Sequence, residues 1–315
     1  MKERVLFKPS HIVRAGALAF ALSAGASAGL INDYNLIVTG NLDSQSNVEG
    51  RTWVGGNLTT TASDYGKNLT PSSNYTGIDV LRVGGNIFGG NVNMQAGTLR
   101  RAGTRSGNVN LNGVGSAEVV DGSVATQSAS LSSQLLAYSS AYQAMSANSV
   151  VQMPTSQPGP AKFIATPSTP GGVAVFFISN PSALFSSSLV QQIELVVNSA
   201  SAIVVNVAGT TINVNGGNFV GAWTQAFARA NTIWNFYEAT TLNVDRSING
   251  AILAPNAHLI NTTNIEGSVF VKSMKQRGEV HLPGFTGPDG VPVPLPSAAG
   301  LSIAGLAFMA SRRRR

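Results

Sequence analysis

The chain has 315 residues, of which 43% are hydrophobic and only 11% are charged, and its formal net charge is +6. The positive excess lies at the two ends, because residues 1–28 and residues 312–315 each hold four of the 20 basic residues. The remainder is close to neutral, with 12 basic and 13 acidic residues, which removes the main electrostatic argument for nucleic acid as a partner. The absence of cysteine excludes disulfide bridges, thiolate metal sites and cysteine nucleophiles.

The first 28 residues have the features of a secretory signal peptide. A basic start is followed by an almost unbroken apolar stretch at 15–24, and Ala26, Ser27 and Ala28 supply the small-residue site that signal peptidase accepts. Cleavage at this site makes Gly29 the first residue of the mature protein. The sequence therefore predicts an exported chain, with signal peptidase as its first partner.

Glycine-centred phrases recur through the body of the chain. The phrase Val-Gly-Gly-Asn at 54–57 returns at 83–86, and residues 38–42 are a looser copy that begins 16 residues before the first. Residues 248–253 are echoed 17 residues later by 265–270, and residues 48–50 have the same shape. Short strands at a spacing below about 20 residues predict an irregular, right-handed β-solenoid (β-helix), in which glycine supplies corners of positive φ and asparagines stack in columns. A β-sandwich is the alternative, because the repeat is irregular.

One segment predicts a long α-helix at about 128–146. Glycine disappears after Gly122, and apolar residues then recur at spacings of 4, 3, 4 and 3, which place them on one helical stripe. The stripe consists of Leu131, Leu135, Tyr138, Tyr142 and Met145. We expect Ser128 or Ser130 to cap the start of the helix, and the helix to lie along the flank of the solenoid.

A second β-rich half follows the helix. The proline-rich stretch 153–172 predicts a loop between the halves. Strands are expected at 173–178, 193–197, 202–207 and 211–214 and onward to residue 280. Residues 29–287 are therefore expected to form one solenoid domain.

Residues 288–315 are expected to form a separate sorting tail. A 13-residue apolar run at 298–310 is too short for a membrane-spanning helix, which needs about 20 residues. A proline motif precedes it and an arginine cluster follows it. The motif consists of Val293, Pro294, Leu295 and Pro296, and the cluster of Arg312, Arg313, Arg314 and Arg315. Because the apolar run is short, the tail is expected to be a marginal anchor. Its arginines cross a bilayer only at high cost and are expected to stay on the cytoplasmic side.

These phrases resemble known families. Residues 34–42, 48–51 and 54–57 resemble the start of choice-of-anchor A proteins, and residues 234–240, 250–257 and 265–267, with 272–273, resemble the closing block of that family. The tail resembles a PEP-CTERM sorting signal of the Val-Pro-Leu-Pro type, although it lacks the commoner glutamate before the second proline. The resemblance implies an adhesin-like surface protein of a Gram-negative bacterium that makes exopolysaccharide. It also implies that the tail is held transiently in the inner membrane, with its arginines in the cytoplasm, until an exosortase cleaves near the prolines.

The body contains no recognisable catalytic motif such as a serine nucleophile elbow, HExxH or a phosphate-binding loop. Its carboxylates are scattered singly along the sequence, so positions in solvated turns account for them well. A catalytic pair of carboxylates, for example one that includes Glu238 or Glu266, remains an alternative. Glu238 is expected to hydrogen-bond a turn. His258 and His281 are expected to be surface residues rather than metal ligands. Calcium binding is disfavoured because the Gly-Gly-Asn turns lack carboxylate ligands, and no cofactor or metal is predicted.

Three function classes remain. The favoured one is an exported, exosortase-sorted surface or matrix protein that is not an enzyme and adheres to exopolysaccharide or another surface through a flat β face. The first alternative is a carbohydrate-active lyase or hydrolase on the same scaffold. The second is an ice-binding protein, which is disfavoured because the threonine doublets share no common period.

Overall fold

Parallel strands dominate the computed structural model, which describes residues 29–157 and 159–287. The strands before the long helix are β1 Leu36–Val38, β2 Leu42–Ser44, β3 Thr52–Val54, β4 Leu58–Tyr65, β5 Asp79–Val83, β6 Ile87–Met94, β7 Thr98–Arg101, β8 Val109–Leu111 and β9 Ala117–Val120. The helices are α1 Leu30–Asp33, α2 Ser123–Ser128, α3 Leu131–Gln143, α4 Pro181–Phe185 and α5 Ala226–Asn231. The later strands begin with β10 Val150–Gln152, β11 Gly159–Ile164, β12 Val173–Ile178, β13 Val190–Val196, β14 Ala202–Val207, β15 Thr211–Val214 and β16 Asn218–Phe219. They continue with β17 Thr232–Asn235, β18 Thr241–Val244, β19 Ile248–Asn249, β20 Ala251–Asn261, β21 Ile265–Glu266, β22 Val269–Gln276 and β23 Val280–His281.

The strands stack as a β-solenoid, which confirms the predicted fold class. One face, here called the helix face, has the strand order β12-β14-β17-β20-β22-β1-β3-β5-β7-β9. The second, the open face, contains β15, β18, the second halves of β20 and β22, then β2 and the first halves of β4 and β6. The third face contains β19, β21, β23 and the bridge residue Val48, followed by the second halves of β4 and β6 and by β8.

The stack does not follow the order of the chain. The first N-terminal strand, β1, pairs with β22 of the C-terminal half, so the N-terminal half continues the stack that the C-terminal half begins. Helices α2 and α3 return the chain along the helix face, where α2 contacts β5 and α3 contacts β20, β17 and β14. The flanking position predicted for the long helix is therefore confirmed.

The long helix packs through its predicted stripe. Leu131, Leu135, Tyr138 and Tyr142 are buried, whereas Met145 lies beyond the end of α3 and is partly buried. The predicted caps are wrong, because neither serine side chain caps the helix. The hydroxyl of Ser130 donates to the carbonyl of Gln127, and that of Ser128 accepts from Nε1 of Trp53 at 2.9 Å.

A polar clasp also holds α3 to the sheet. Asn235 Nδ2 donates to the carbonyl of Ser139 at 2.9 Å and to Oδ1 of Asn206 at 2.8 Å. Ser139 Oγ donates to Oδ1 of Asn235 at 2.7 Å, and Asn206 Nδ2 donates to the carbonyl of Tyr142 at 2.8 Å. Because these groups are buried, each one depends on its partner in the clasp.

The repeated Gly-Gly-Asn phrases form one corner of the stack. Asn41 Oδ1 accepts from the backbone N–H of Asn57 at 2.9 Å, and Asn57 Oδ1 accepts from that of Asn86 at 2.8 Å. This confirms the predicted asparagine column. The predicted role of glycine is wrong here, because these glycines lack positive φ and are required for space. A Cβ on Gly56 would lie 2.5 Å from Asn41 Oδ1, and one on Gly85 would lie 2.4 Å from Asn57 Oδ1.

The loop predicted at 153–172 contains a strand. Strand β11 pairs in parallel with β13, although it includes Pro160. The register shifts between Gly159 and Pro160, and such an irregularity accommodates a residue that has no N–H to donate. Next to this sheet lies an aromatic core in which the rings of Trp223 and Trp234 are 5.3 Å apart.

Candidate functional site

Most of the site residues predicted from sequence lie outside the described residues. These are Ala26, Ala28, Val293, Pro294, Leu295, Pro296, Arg312, Arg313, Arg314 and Arg315. Gly29 is described, and its carbonyl accepts from the backbone N–H of Asn32 at 2.8 Å. Asn32 Nδ2 also donates to the carbonyls of Phe285 and Gly287, each at 3.1 Å. The first and last described residues are therefore both hydrogen-bonded to Asn32, next to the core of the helix face.

Acidic residues that are far apart in sequence converge on the third face. In the strand register Ile265 aligns with Val280, and Val280 aligns with Val48. The residues that follow these three positions, Glu266, His281 and Glu49, therefore occupy one column. Glu279 lies beside this column, and we call the four side chains the joint cluster.

The imidazole of His281 connects the joint cluster. Its Nδ1 lies 2.9 Å from Glu266 Oε1, and its Nε2 lies 3.1 Å from Glu279 Oε2 and 4.0 Å from Glu49 Oε1. Both ring nitrogens therefore face carboxylate oxygens, one on each side of the ring. Arg229 of α5 also forms an ion pair with Glu266.

The environment of Glu279 favours its ionised form. Partial burial acts to raise the pKa of this carboxyl, but hydrogen bonds from Lys67 and Asn47 and the charge of the lysine outweigh burial. The net result is a pKa below the ordinary value for glutamate. The distances from Glu279 Oε1 are 2.9 Å to Lys67 Nζ and 2.8 Å to Asn47 Nδ2.

Three members of the joint cluster could in principle hold a cation. Glu49, Glu279 and His281 offer ligand atoms that lie within 4.8 Å of one another. However, the carboxylate oxygens already accept hydrogen bonds from the protein. Glu49 accepts from the side chain of Asn68 and, at 2.7 Å, from the backbone N–H of Leu282. Lys67 and Arg229 also form ion pairs with Glu279 and Glu266 of the cluster. The geometry therefore supports a structural joint between the two halves of the chain, because Asn47 and Glu49 belong to one half and Glu279 and Leu282 to the other.

The joint extends into a ladder of polar side chains along the third face. Adjacent members are connected by hydrogen bonds of 2.7–3.0 Å, and the ladder crosses the boundary between the two halves. Its members are Asn264, Glu279, Asn47, Asp64, Asn93 and Asn110. The side-chain hydrogen bonds that align the rungs within each half therefore also fix the register of one half on the other.

The structure separates the two histidines that the sequence treats alike. His258 is exposed on the open face, as expected, with Nδ1 2.8 Å from Ser273 Oγ. His281 is 20% exposed at its side chain and belongs to the joint cluster, so its assignment as a plain surface residue is wrong. The repeat itself could have predicted the position of His281. Aligning residues 48–50 with 265–267 and 280–282 places Glu49, Glu266 and His281 in one column. Glu238 holds a turn as predicted, with Oε2 accepting from the N–H of Gly209 at 2.8 Å.

The open face presents a mostly polar surface. Its inward positions are buried, and its outward positions are exposed or half-buried. One inward column is apolar, whereas the next begins with Val214 and Val244 and continues with the buried polar residues Asn261, Gln276, Ser44 and Thr60. The outward column nearest the helix-face corner contains Thr211, Thr241, His258 and Ser273. The next column contains Asn213, Asn243, Ile260, Lys275, Asp43, Thr59 and Phe88. Threonine occupies only the first two positions of the former column, so no regular threonine array forms.

The fold and this exposed surface define a β-solenoid surface module. The family described as "Putative Ice-binding-like adhesive domain" matches residues 27–282, and the chain belongs to that family. The protein is therefore an adhesin-like protein of the surface or extracellular space. Within residues 29–157 and 159–287, none of the helices has the length and apolar character needed to cross a bilayer.

Two solved structures are similar to the chain at low identity. One is an ice-binding protein from the Antarctic ascomycete Antarctomyces psychrotrophicus, with 11% identity, coverage of 80% of this chain and 96% of that one, and a TM-score of 0.29. The other is an ice binding protein from an Antarctic biological consortium, with 13% identity, coverage of 86% and 95%, and a TM-score of 0.27. At these scores the likeness adds nothing to what the strand pairing of the chain already shows. No curated protein sequence matches the chain significantly.

Proposed function

We propose that this protein is an exported adhesive module that binds exopolysaccharide through its open face and does not turn its ligand over. The observation that carries this proposal is the open face itself, where strands from both halves of the chain present polar side chains to solvent. Hydroxyl and amide groups of this kind can bind a hydroxyl-rich polymer, and a flat surface suits an extended one. Family membership supports the adhesive role.

The positions of the first and last described residues support the same orientation. Gly29 and Gly287 lie together beside the core of the helix face. A tether that continues from residue 287 would therefore leave from that face, and the open face would stay accessible while the protein is anchored.

Ice is the second candidate ligand, because the description of the family includes ice-binding-like domains. An ice-binding surface favours regularly spaced threonines, whereas the outward column at Thr211 and Thr241 continues with His258 and Ser273. The outward positions further along are also mixed, with Lys275, Asp43 and Phe88. We therefore favour polysaccharide.

A binding experiment tests the adhesive proposal. Purified protein is applied to immobilised exopolysaccharide, and Thr59→Glu and Thr211→Glu are compared with Ser132→Glu, an exposed position on α3. Each open-face substitution should weaken retention, because a bulky charge interrupts the face, while the helix variant should bind like the wild type. Equal retention of all three variants would overturn the role of the open face.

Two further measurements separate the alternative functions. Size analysis of the polymer after prolonged incubation with the protein should show no shortening. Cleavage of the polymer that Glu238→Gln or Glu266→Gln abolishes would instead establish an enzyme. Ice recrystallisation should be unaffected by the protein, and inhibition that Thr211→Glu removes would favour the ice-binding alternative.

The proposal includes the sorting route that the choice-of-anchor A and PEP-CTERM resemblances imply. Signal peptidase would cleave before Gly29, and an exosortase of a Gram-negative host would cleave near Pro294 and Pro296. Deleting residues 312–315 should release an uncleaved form, because the cationic stop is lost. Replacing both prolines should instead leave a larger, cell-bound form. Mass spectrometry of the exported chains distinguishes these products, and processing of both variants like the wild type would contradict the sorting role.

A further inference from the structure

A polar groove lies at one corner of the C-terminal half, where three turns meet. They are the turn that follows α4, the turn between β15 and β16, and the turn between β18 and β19. Backbone hydrogen bonds hold them together: the N–H of Gly216 donates to the carbonyl of Phe185 at 2.6 Å, and that of Arg246 donates to the carbonyl of Val214 at 3.0 Å. The groove is therefore formed by the folded backbone.

The groove has a volume of about 340 Å³, near the lower end of the range of about 300–1,000 Å³ for small-ligand sites. Its polar side chains are hydroxyls, amides and one guanidinium, and no acidic residue lines it among those described. They belong to Ser187, Ser188, Gln191, Asn215, Asn218 and Arg246. This lining offers many hydrogen bonds and a single positive charge.

Arg246 differs from the other arginines of the described residues. Each of the other seven contacts a carboxylate or an aromatic ring: Arg51, Arg82, Arg100, Arg101, Arg105, Arg229 and Arg277. Arg246 is exposed and has no ion pair with a described residue. Its acidic neighbour Asp245 instead accepts from the hydroxyl of Thr262 at 2.6 Å.

We infer that this groove binds a carboxylate-bearing sugar unit of an acidic polysaccharide, with the Arg246 guanidinium on the carboxylate and the serines and amides on the hydroxyls. A guanidinium can bind a carboxylate through two parallel hydrogen bonds. One cation in a lining that is otherwise neutral suits a polymer with widely spaced charges, whereas nucleic acids require several basic contacts to phosphate. The inference rests on the proposed polysaccharide function and specifies the class of polymer.

The groove also continues into the open face. Ser186 Oγ at its edge donates to the carbonyl of Asn213 at 3.0 Å, and the side chain of Asn213 accepts from Asn243 Nδ2 at 2.8 Å. A chain whose acidic unit occupies the groove can therefore extend along the outward columns of that face.

The test uses polygalacturonate, its methyl-esterified form and neutral dextran as probes for the purified protein. Arg246→Gln should weaken binding of polygalacturonate about ten- to a hundred-fold, which corresponds to the loss of a charge-assisted hydrogen bond. Arg246→Lys should restore part of the affinity, since it keeps the charge but not the planar pair of donors. Lys272→Gln is the matched control, because it removes an exposed cation that has no ion pair among the described residues.

The outcomes distinguish this inference from the proposed function. Equal binding of polygalacturonate by Arg246→Gln and Lys272→Gln overturns the inference, as does equal discrimination by the wild type and Arg246→Gln between the free acid and its methyl ester. Inorganic phosphate that displaces the polymer at equimolar concentration would also overturn it, since the groove would then be a simple anion site. If the arginine variant loses polygalacturonate while the open-face variants at Thr59 and Thr211 bind normally, the inference stands and the open-face proposal fails.

Discussion

Replacing Gly85 by alanine should destabilise the fold by about 2–4 kcal/mol. The new Cβ would lie 2.4 Å from Asn57 Oδ1 and 2.7 Å from the carbonyl oxygen of Gly56. The side chain of Asn57 would have to move, which breaks its 2.8 Å hydrogen bond to the N–H of Asn86 and costs about 1 kcal/mol. Relieving the backbone contact costs a further 1–3 kcal/mol, roughly the range for overpacked sites.

The matched control is Gly122→Ala. Gly122 has helical angles of φ −59° and ψ −20°, and nothing lies within 4 Å of the position of its missing Cβ. Alanine there should be neutral or should stabilise by about 0.4–1 kcal/mol, because it restricts the unfolded chain. Thermal and denaturant unfolding monitored by circular dichroism measures both variants. If Gly85→Ala loses no more stability than Gly122→Ala, the close approach of the rungs does not explain the repeat.

A double-mutant cycle separates the two contacts. Asn57→Ala removes the nearest atom that the new Cβ meets, so the double variant should cost about 1 kcal/mol less than the sum of the single changes. The contact with the carbonyl of Gly56 remains, so the double variant should still be less stable than Asn57→Ala. Strict additivity would show that the side chain and the glycine do not depend on each other.

Three further changes test the helix clasp, the helix stripe and the joint. Asn235→Ala should cost about 3–5 kcal/mol and speed hydrogen exchange in α3, because it leaves the Ser139 hydroxyl and other buried groups without partners; unchanged exchange would contradict the clasp. Leu135→Ala should cost about 2–5 kcal/mol, whereas Leu136→Ala, on the exposed side of the helix, should cost under about 1 kcal/mol by denaturant unfolding. Glu279→Gln should cost about 1 kcal/mol at neutral pH. Folding lowers the pKa of Glu279, so its carboxylate stabilises the fold at pH values above the ordinary glutamate pKa. The difference in unfolding free energy between variant and wild type should therefore vanish as the pH falls through the pKa of the folded state. A constant difference from pH 7 to pH 3 would contradict this.

The repeated phrases predict more of the stack than their irregular spacing suggests. Val38 aligns with Val54 and Val54 with Val83, as the sequence copies require. Ile248 aligns with Ile265 in the same way. These alignments could be predicted because the inward side chains of successive rungs must match, and matching residues recur in the sequence. The physical role of the glycines could not be predicted in the same way. Both a positive φ and a close approach of neighbouring rungs require glycine, so the sequence does not distinguish them.

The sequence of residues 29–287 by itself determined the β class, the column of asparagines and the apolar stripe of the long helix, because all three follow from the local periodicity of side chains. Only the tertiary structure decided that β1 stacks on β22, since neither strand carries a mark of its partner and the pairing depends on where α2 and α3 return the chain. That pairing brings Glu49 to His281 and Glu279 and so creates the joint cluster. The groove at Arg246 arises in the same way, because its three turns are separated in sequence and meet only when the rungs stack.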